Sequence, residues 1–113
     1  MTVQVLKLFD PTPLTIGVAV LYTVPLSATG AVLGNGRIRF TNTDTVQHAV
    51  TAYGVPSGGT AATANAFLSA VVVAGNSYLD SALPELTAGG SVQALADTSG
   101  VVVVHCLAGV LFS

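Results

Sequence analysis

The chain has 113 residues, enough for one domain and too few for two. Apolar residues make up 51% and charged residues 7%, with a formal net charge of −2, which excludes an intrinsically disordered chain. Lys7, Arg37 and Arg39 are the only basic residues, too few to neutralise a nucleic-acid backbone, so no nucleic-acid partner is expected.

The mean hydropathy of +0.75 raises the question of a membrane span. The longest strongly apolar run, Val101 to Phe112, is shorter than the roughly 20 residues that a spanning helix needs. The uncharged stretch from Pro11 to Gly36 is broken by Pro13, Gly17, Pro25, Gly30 and Gly34. No membrane partner is expected. No basic, apolar and small-residue sequence of a signal peptide opens the chain, so synthesis in the cytoplasm is expected. Cys106 is the only cysteine, which rules out an intrachain disulfide.

Valine, isoleucine and threonine supply 33 residues, and these β-branched side chains pack well on a pleated surface. No segment carries the helical period over three turns. The first strand is expected at Thr2 to Leu8, with Val3, Val5 and Lys7 on one face. Asp10-Pro11-Thr12-Pro13 ends it, because proline removes a ladder donor. Leu14 to Val24 reads as a second strand region, and Ser27 to Gly30 as a loop. Ala31 to Asn42 follows, where Ile38 and Phe40 alternate with Arg37, Arg39 and Thr41, giving one buried and one wet face. Gly34-Asn35-Gly36 reads as a bulge or hairpin tip, and Asn42-Thr43-Asp44-Thr45 as a polar turn.

Val46 to Val55 is the next strand, with Val46, His48, Val50 and Ala52 on one face. A loop of small residues runs from Pro56 to Asn65. Phe67 to Ala74 is a strand, Gly75-Asn76 a tight turn and Tyr78 to Leu83 a short strand. Pro84 to Gly90 connects to the last strands, Ser91 to Ala96 and Val101 to Phe112. Seven or eight short strands with regular turns predict an all-β fold, a single antiparallel β-sandwich or jelly roll. Residues 1–10 form an N-terminal strand or arm, and residues 11–113 the sandwich. Val71 to Val73 and Val101 to Val104 are apolar on both faces. Such strands are covered on both sides, most simply by another subunit, so a homodimer or homotrimer is expected.

The reactive residues build no catalytic constellation, and no enzyme is expected. His105 and Cys106 are adjacent and point to opposite faces of a strand. Cys106 reads as a small core hydrophobe and both histidines as half-buried strand residues. A metal site needs three or four converging ligands, so no metal and no cofactor are expected. Turn chemistry accounts for Asp10, Asp44 and Asp97. Arg37 and Arg39 lie on one face about 7 Å apart by strand rise. They read either as a solvated face or as a docking pair for acidic groups on a partner.

Arg39-Phe40-Thr41-Asn42-Thr43, Tyr53 to Gly59, Ala64 to Leu68, Leu86 to Ala96 and Gly100 to Val104 together resemble a family of small structural proteins of tailed bacteriophages. The similarity covers roughly residues 14 to 112. His105-Cys106-Leu107 departs from the family's more polar stretch. The resemblance implies a β-sandwich or jelly roll on the capsid exterior of a virion, a decoration or cement protein that binds and stabilises the major capsid protein lattice. Arg37, Arg39 and an N-terminal arm carrying Val3, Val5 and Lys7 would then meet the partner, with Pro11 and Pro13 setting the arm off from the sandwich. The alternative is a tail or fibre module that binds a host-surface glycan or an adaptor protein; the absence of tryptophan and the presence of only three tyrosines, Tyr22, Tyr53 and Tyr78, count against a glycan site.

Overall fold

The computed structural model describes residues 3–26, 30, 31 and 37–112, and side chains for residues 7–26 and 37–109. The expected loop at Ser27 to Gly30 falls largely outside the described residues, as does Gly34-Asn35-Gly36.

The described chain is all-β. In chain order the strands are β1 (Val3–Leu6), β2 (Thr12–Pro13), β3 (Ala19–Thr23), β4 (Gly30–Ala31), β5 (Arg37–Asn42) and β6 (His48–Val55). After a single 3-10 turn at Thr63–Asn65 come β7 (Ala66–Val73), β8 (Tyr78–Ala82), β9 (Leu86–Thr87), β10 (Ser91–Ala96) and β11 (Val102–Phe112). They form two antiparallel sheets facing each other as a β-sandwich. The larger runs β8-β5-β11-β4-β9 with β1 and β2 added to β11, and the smaller runs β3-β10-β6-β7.

β11 is paired along both edges. Val102 to Ala108 lie against β5 and Leu111–Phe112 against β4. On the opposite edge Val103–Val104 meet β2, and Gly109 to Phe112 meet β1. Of the expected strand or arm, the N-terminal segment is the strand, paired within the chain's own sheet, and Pro11 and Pro13 do not set it apart. Proline lacks an N–H, but Pro13 sits in a two-residue edge strand where this costs little. The pairing resumes at once, with the Leu14 N–H donating to the Val102 carbonyl at 2.8 Å.

Alternation along the strands builds the core. In β5, Ile38 and Phe40 are fully buried between exposed or half-buried Arg37, Arg39 and Thr41. In β6, His48, Val50 and Ala52 turn inward, as do Val92, Ala94 and Ala96 in β10 and Val102 and Val104 in β11. Each large apolar side chain buried this way contributes about 1.5–3 kcal/mol. Val46, expected on one strand face with His48, lies instead in the turn before β6 begins and is 57% exposed. The strand expected from Leu14 to Val24 is narrowed to Ala19–Thr23, although Leu14 is fully buried.

One end of the sandwich is tied by Asn42, 1% exposed at the end of β5. Its Nδ2 donates to the Val46 and Val73 carbonyls at 2.9 and 3.0 Å and lies 3.3 Å from that of Ala74. Its Oδ1 accepts from the Asp44 N–H at 3.0 Å. The turn after β5 and the turn after β7 thus share one side chain. Gly75 closes the same junction, where a Cβ would overlap the Thr45 carbonyl oxygen.

Candidate functional site

The expected partner residues lie on or beside the outer face of the larger sheet, and that sheet already occupies several of them. Arg39 faces Asp80 of β8 on one side and His105 of β11 on the other. Its Nε and Nη2 donate to Asp80 Oδ1 and Oδ2 at 2.6 and 2.9 Å, a two-pronged pair. The guanidinium also stacks over the Tyr78 ring, 4.0 Å from the centroid. This pairing with Asp80 raises the Arg39 pKa and lowers that of Asp80 below the usual carboxylate range. Arg37, at the exposed start of β5, makes no salt bridge among the described residues. Within the expected Arg37–Arg39 pair, Arg39 is bonded to Asp80 through two of its nitrogens and Arg37 has no salt bridge among the described residues. Lys7 follows β1 and pairs with Asp10 at 2.8 Å in an exposed contact. The side chains of Val3 and Val5 lie outside the description, but their backbones pair with Phe112 and Val110.

Between these groups lies a cavity of about 360 Å³ lined by Lys7, Pro11, Arg39, Thr41, His105, Cys106 and Leu107. Its lining holds two of the chain's three cations and no carboxylate. His105 Nδ1 is buried and has no hydrogen-bond partner among the described residues. Cys106 is half-buried against the core, and its sulfur accepts the Leu8 N–H at 3.4 Å. That placement fits the small-hydrophobe reading.

The second histidine sits elsewhere. His48 opens β6 in the smaller sheet and is 8% exposed. Its Nδ1 lies 2.7 Å from Asp97 Oδ1 and its Nε2 2.9 Å from Asp44 Oδ2. A carboxylate only accepts, so this geometry favours the protonated ring, in which both nitrogens donate. Hydrogen bonding to Asp44, against the opposing effect of burial, raises the His48 pKa, and Asp97 adds to it. Both carboxylates are held low, Asp44 chiefly by His48 and Asp97 chiefly by the Ala49 N–H, which donates to its Oδ2 at 2.9 Å. The half-buried histidine of the sequence reading is therefore the centre of an acid–base clamp. The Asp44/His48 spacing is visible in the sequence, but Asp97 is brought in only by the pairing of β10 with β6. Among the described residues no group of three or more histidine, cysteine, aspartate or glutamate side chains is placed to hold a metal ion.

The outer face of the smaller sheet is different in kind. None of β3, β6, β7 and β10 contains Asp, Glu, Lys or Arg. The register sets Val20, Gln93, Tyr53 and Ala66 in one row, with Leu95 beside Thr51 and Ala49 beside Val72. Val20 is 59% and Val72 55% exposed. Of the three tyrosines, Tyr78 is the exposed one, and one face of its ring is taken by Arg39.

Among the described residues no helix is long and apolar enough to cross a membrane. Compared with known proteins, the sequence matches no protein family and no curated protein. Among solved structures, the fold is similar to a chain from Bacillus endospore appendages, described as forming a novel family of disulfide-linked pili. The TM-score is 0.59 at 16% identity, covering 99% of this chain and 88% of that one, a likeness of fold.

Proposed function

We propose that the chain is a structural subunit that works by packing into an ordered assembly, and that this assembly is the head of a tailed phage. There it decorates the capsid exterior and clamps neighbouring copies of the major capsid protein. The observation that carries the reading is the charge-free outer face of the smaller sheet, with Val20 and Val72 more than half exposed. Exposed apolar residues on a sheet face that carries no charge mark an interaction site. The stretches Arg39 to Thr43 and Tyr53 to Gly59, which carry the phage resemblance, support the choice of assembly. A ligand that binds only the assembled shell stabilises it by mass action, summed over many sites.

A second reading is a subunit of a fibrous appendage that associates with its own copies. The fold likeness to an appendage subunit favours it.

Purified heads are mixed with wild-type protein or with Val20→Asp/Val72→Asp, and the temperature of DNA release is measured. Wild type should bind and raise the threshold, and the folded double variant should do neither. Fibres in negative stain, with no binding to heads, would move the reading to the appendage subunit. A soluble monomer that binds no head and forms no fibre overturns both.

A further inference from the structure

We infer that the cavity lying over β5 and β11, beside Lys7 and Pro11, receives the Glu85 carboxylate of a second copy, joining subunits head to tail. The inference rests on the reading of the chain as an assembly subunit, and it names one of that subunit's contacts.

The first ground is a charge inventory. Of the five carboxylates, Asp10 is held by Lys7, Asp80 by Arg39, and Asp44 and Asp97 by His48. Glu85 has no salt bridge among the described residues and is exposed. It is also fixed in place: Leu83 and Leu86 on either side are 4% and 5% exposed, and Pro84 stiffens the link between β8 and β9. A short anchored connection of this kind presents its side chain at little entropic cost to binding.

The second ground is the cavity's unused donors. Arg39 gives Nε and Nη2 to Asp80, and its Nη1 makes no bond among the described residues, so donors remain on the fork. Lys7 gives one of its three protons to Asp10. His105 Nδ1 is buried and unpartnered, so the polar groups of this site are not all satisfied within the isolated chain. Pro11 and Leu107 supply apolar wall for the methylenes of a glutamate. A volume of about 360 Å³ has room for an inserted glutamate side chain.

Cavity and carboxylate are different patches of one surface. The contact is therefore heterologous, and repeating it gives a ring or an open fibre according to the rotation between subunits.

Sedimentation velocity over a micromolar concentration series tests the pairing with wild type, Lys7→Glu, Glu85→Lys and the double variant, each checked for an unchanged fold by circular dichroism. Each single variant sets like charges against each other across the contact and should associate at least about tenfold more weakly. The double variant, with the charges exchanged, should recover to within about threefold of wild type. Should wild type associate while neither single variant weakens it, or the exchange restore nothing, the inference fails and the assembly reading stands. A monomeric wild type that still binds heads likewise sinks this contact alone. A monomer that binds nothing sinks both.

Discussion

Nδ1 of His48 and Oδ1 of Asp97 lie 2.7 Å apart, joining the first residue of β6 to the turn that follows β10. With Asp44 on the other ring nitrogen, one imidazole ring fastens two turns at the same end of the sandwich. The Asn42 carboxamide fastens a third turn beside them, through the Val73 carbonyl. This end of the molecule is held by specific polar bonds, while the middle of the sandwich is held by apolar packing.

The clamp gives stability a two-sided pH dependence. The folded chain holds the His48 proton more tightly than its ordinary value of 6.5, so that contribution is complete below about 6.5 and is lost as pH rises through the raised value. Asp44 and Asp97 are held below their ordinary 3.8, so their contribution is complete above that value and is lost as pH falls through the lowered ones. Urea midpoints measured from pH 3 to pH 9 should be highest between about 4 and 6.5. His48→Gln should remove the fall on the alkaline side. A wild-type profile flat through the alkaline limb would show that His48 carries no clamping proton.

Asn42→Ala removes a buried amide and strands the carbonyls of Val46 and Val73 together with the Asp44 N–H. The expected loss is about 2–4 kcal/mol, because buried polar groups left without partners bear the full desolvation cost. Chemical denaturation measures it. The loss should exceed that of Thr43→Ala, which removes one exposed hydroxyl bond to the Val101 carbonyl.

Ala70 has φ 48, in the left-handed region, where the bulge between β6 and β7 bends the edge strand. Its N–H donates to Thr51 Oγ1 at 3.1 Å, so the conformation has a partner that fixes it. Glycine adopts this backbone freely, and Ala70→Gly should therefore stabilise the fold by up to about 1 kcal/mol. A thermal melt reads the sign, and a clear destabilisation would mean that the Ala70 methyl packs more usefully than its exposure indicates.

Strand alternation made much of this fold readable in advance. Arg37, Ile38, Arg39, Phe40 and Thr41 declare their faces by type, and burial follows them residue by residue. The same holds for His48, Val50 and Ala52. In the sequence the two-residue strands β2 and β9 read as connections, because Thr12–Pro13 and Leu86–Thr87 are too short to carry a period. The site was less legible. Arg39 was available as a docking residue until the register of β5 on β8 set Asp80 directly across from it. His48 was an ordinary strand residue until β10 delivered Asp97 from 49 positions away. Period and turn chemistry are local, whereas ion pairs between strands depend on register, which is set by the whole core.

The place of β11 at the centre of the larger sheet bears on how the protein is made. This strand is translated after every other strand described, yet β1, β2, β4 and β5 all pair with it. Until it leaves the ribosome, the inner edge of β5 and the short strands β1 and β2 have no partner in their own chain. Folding is then a late event that closes distant pairings, which is slow, and the nascent chain passes through a stage with open strand edges. A cell making many copies side by side would meet its greatest risk of mispairing in that interval, before any particle or fibre has formed.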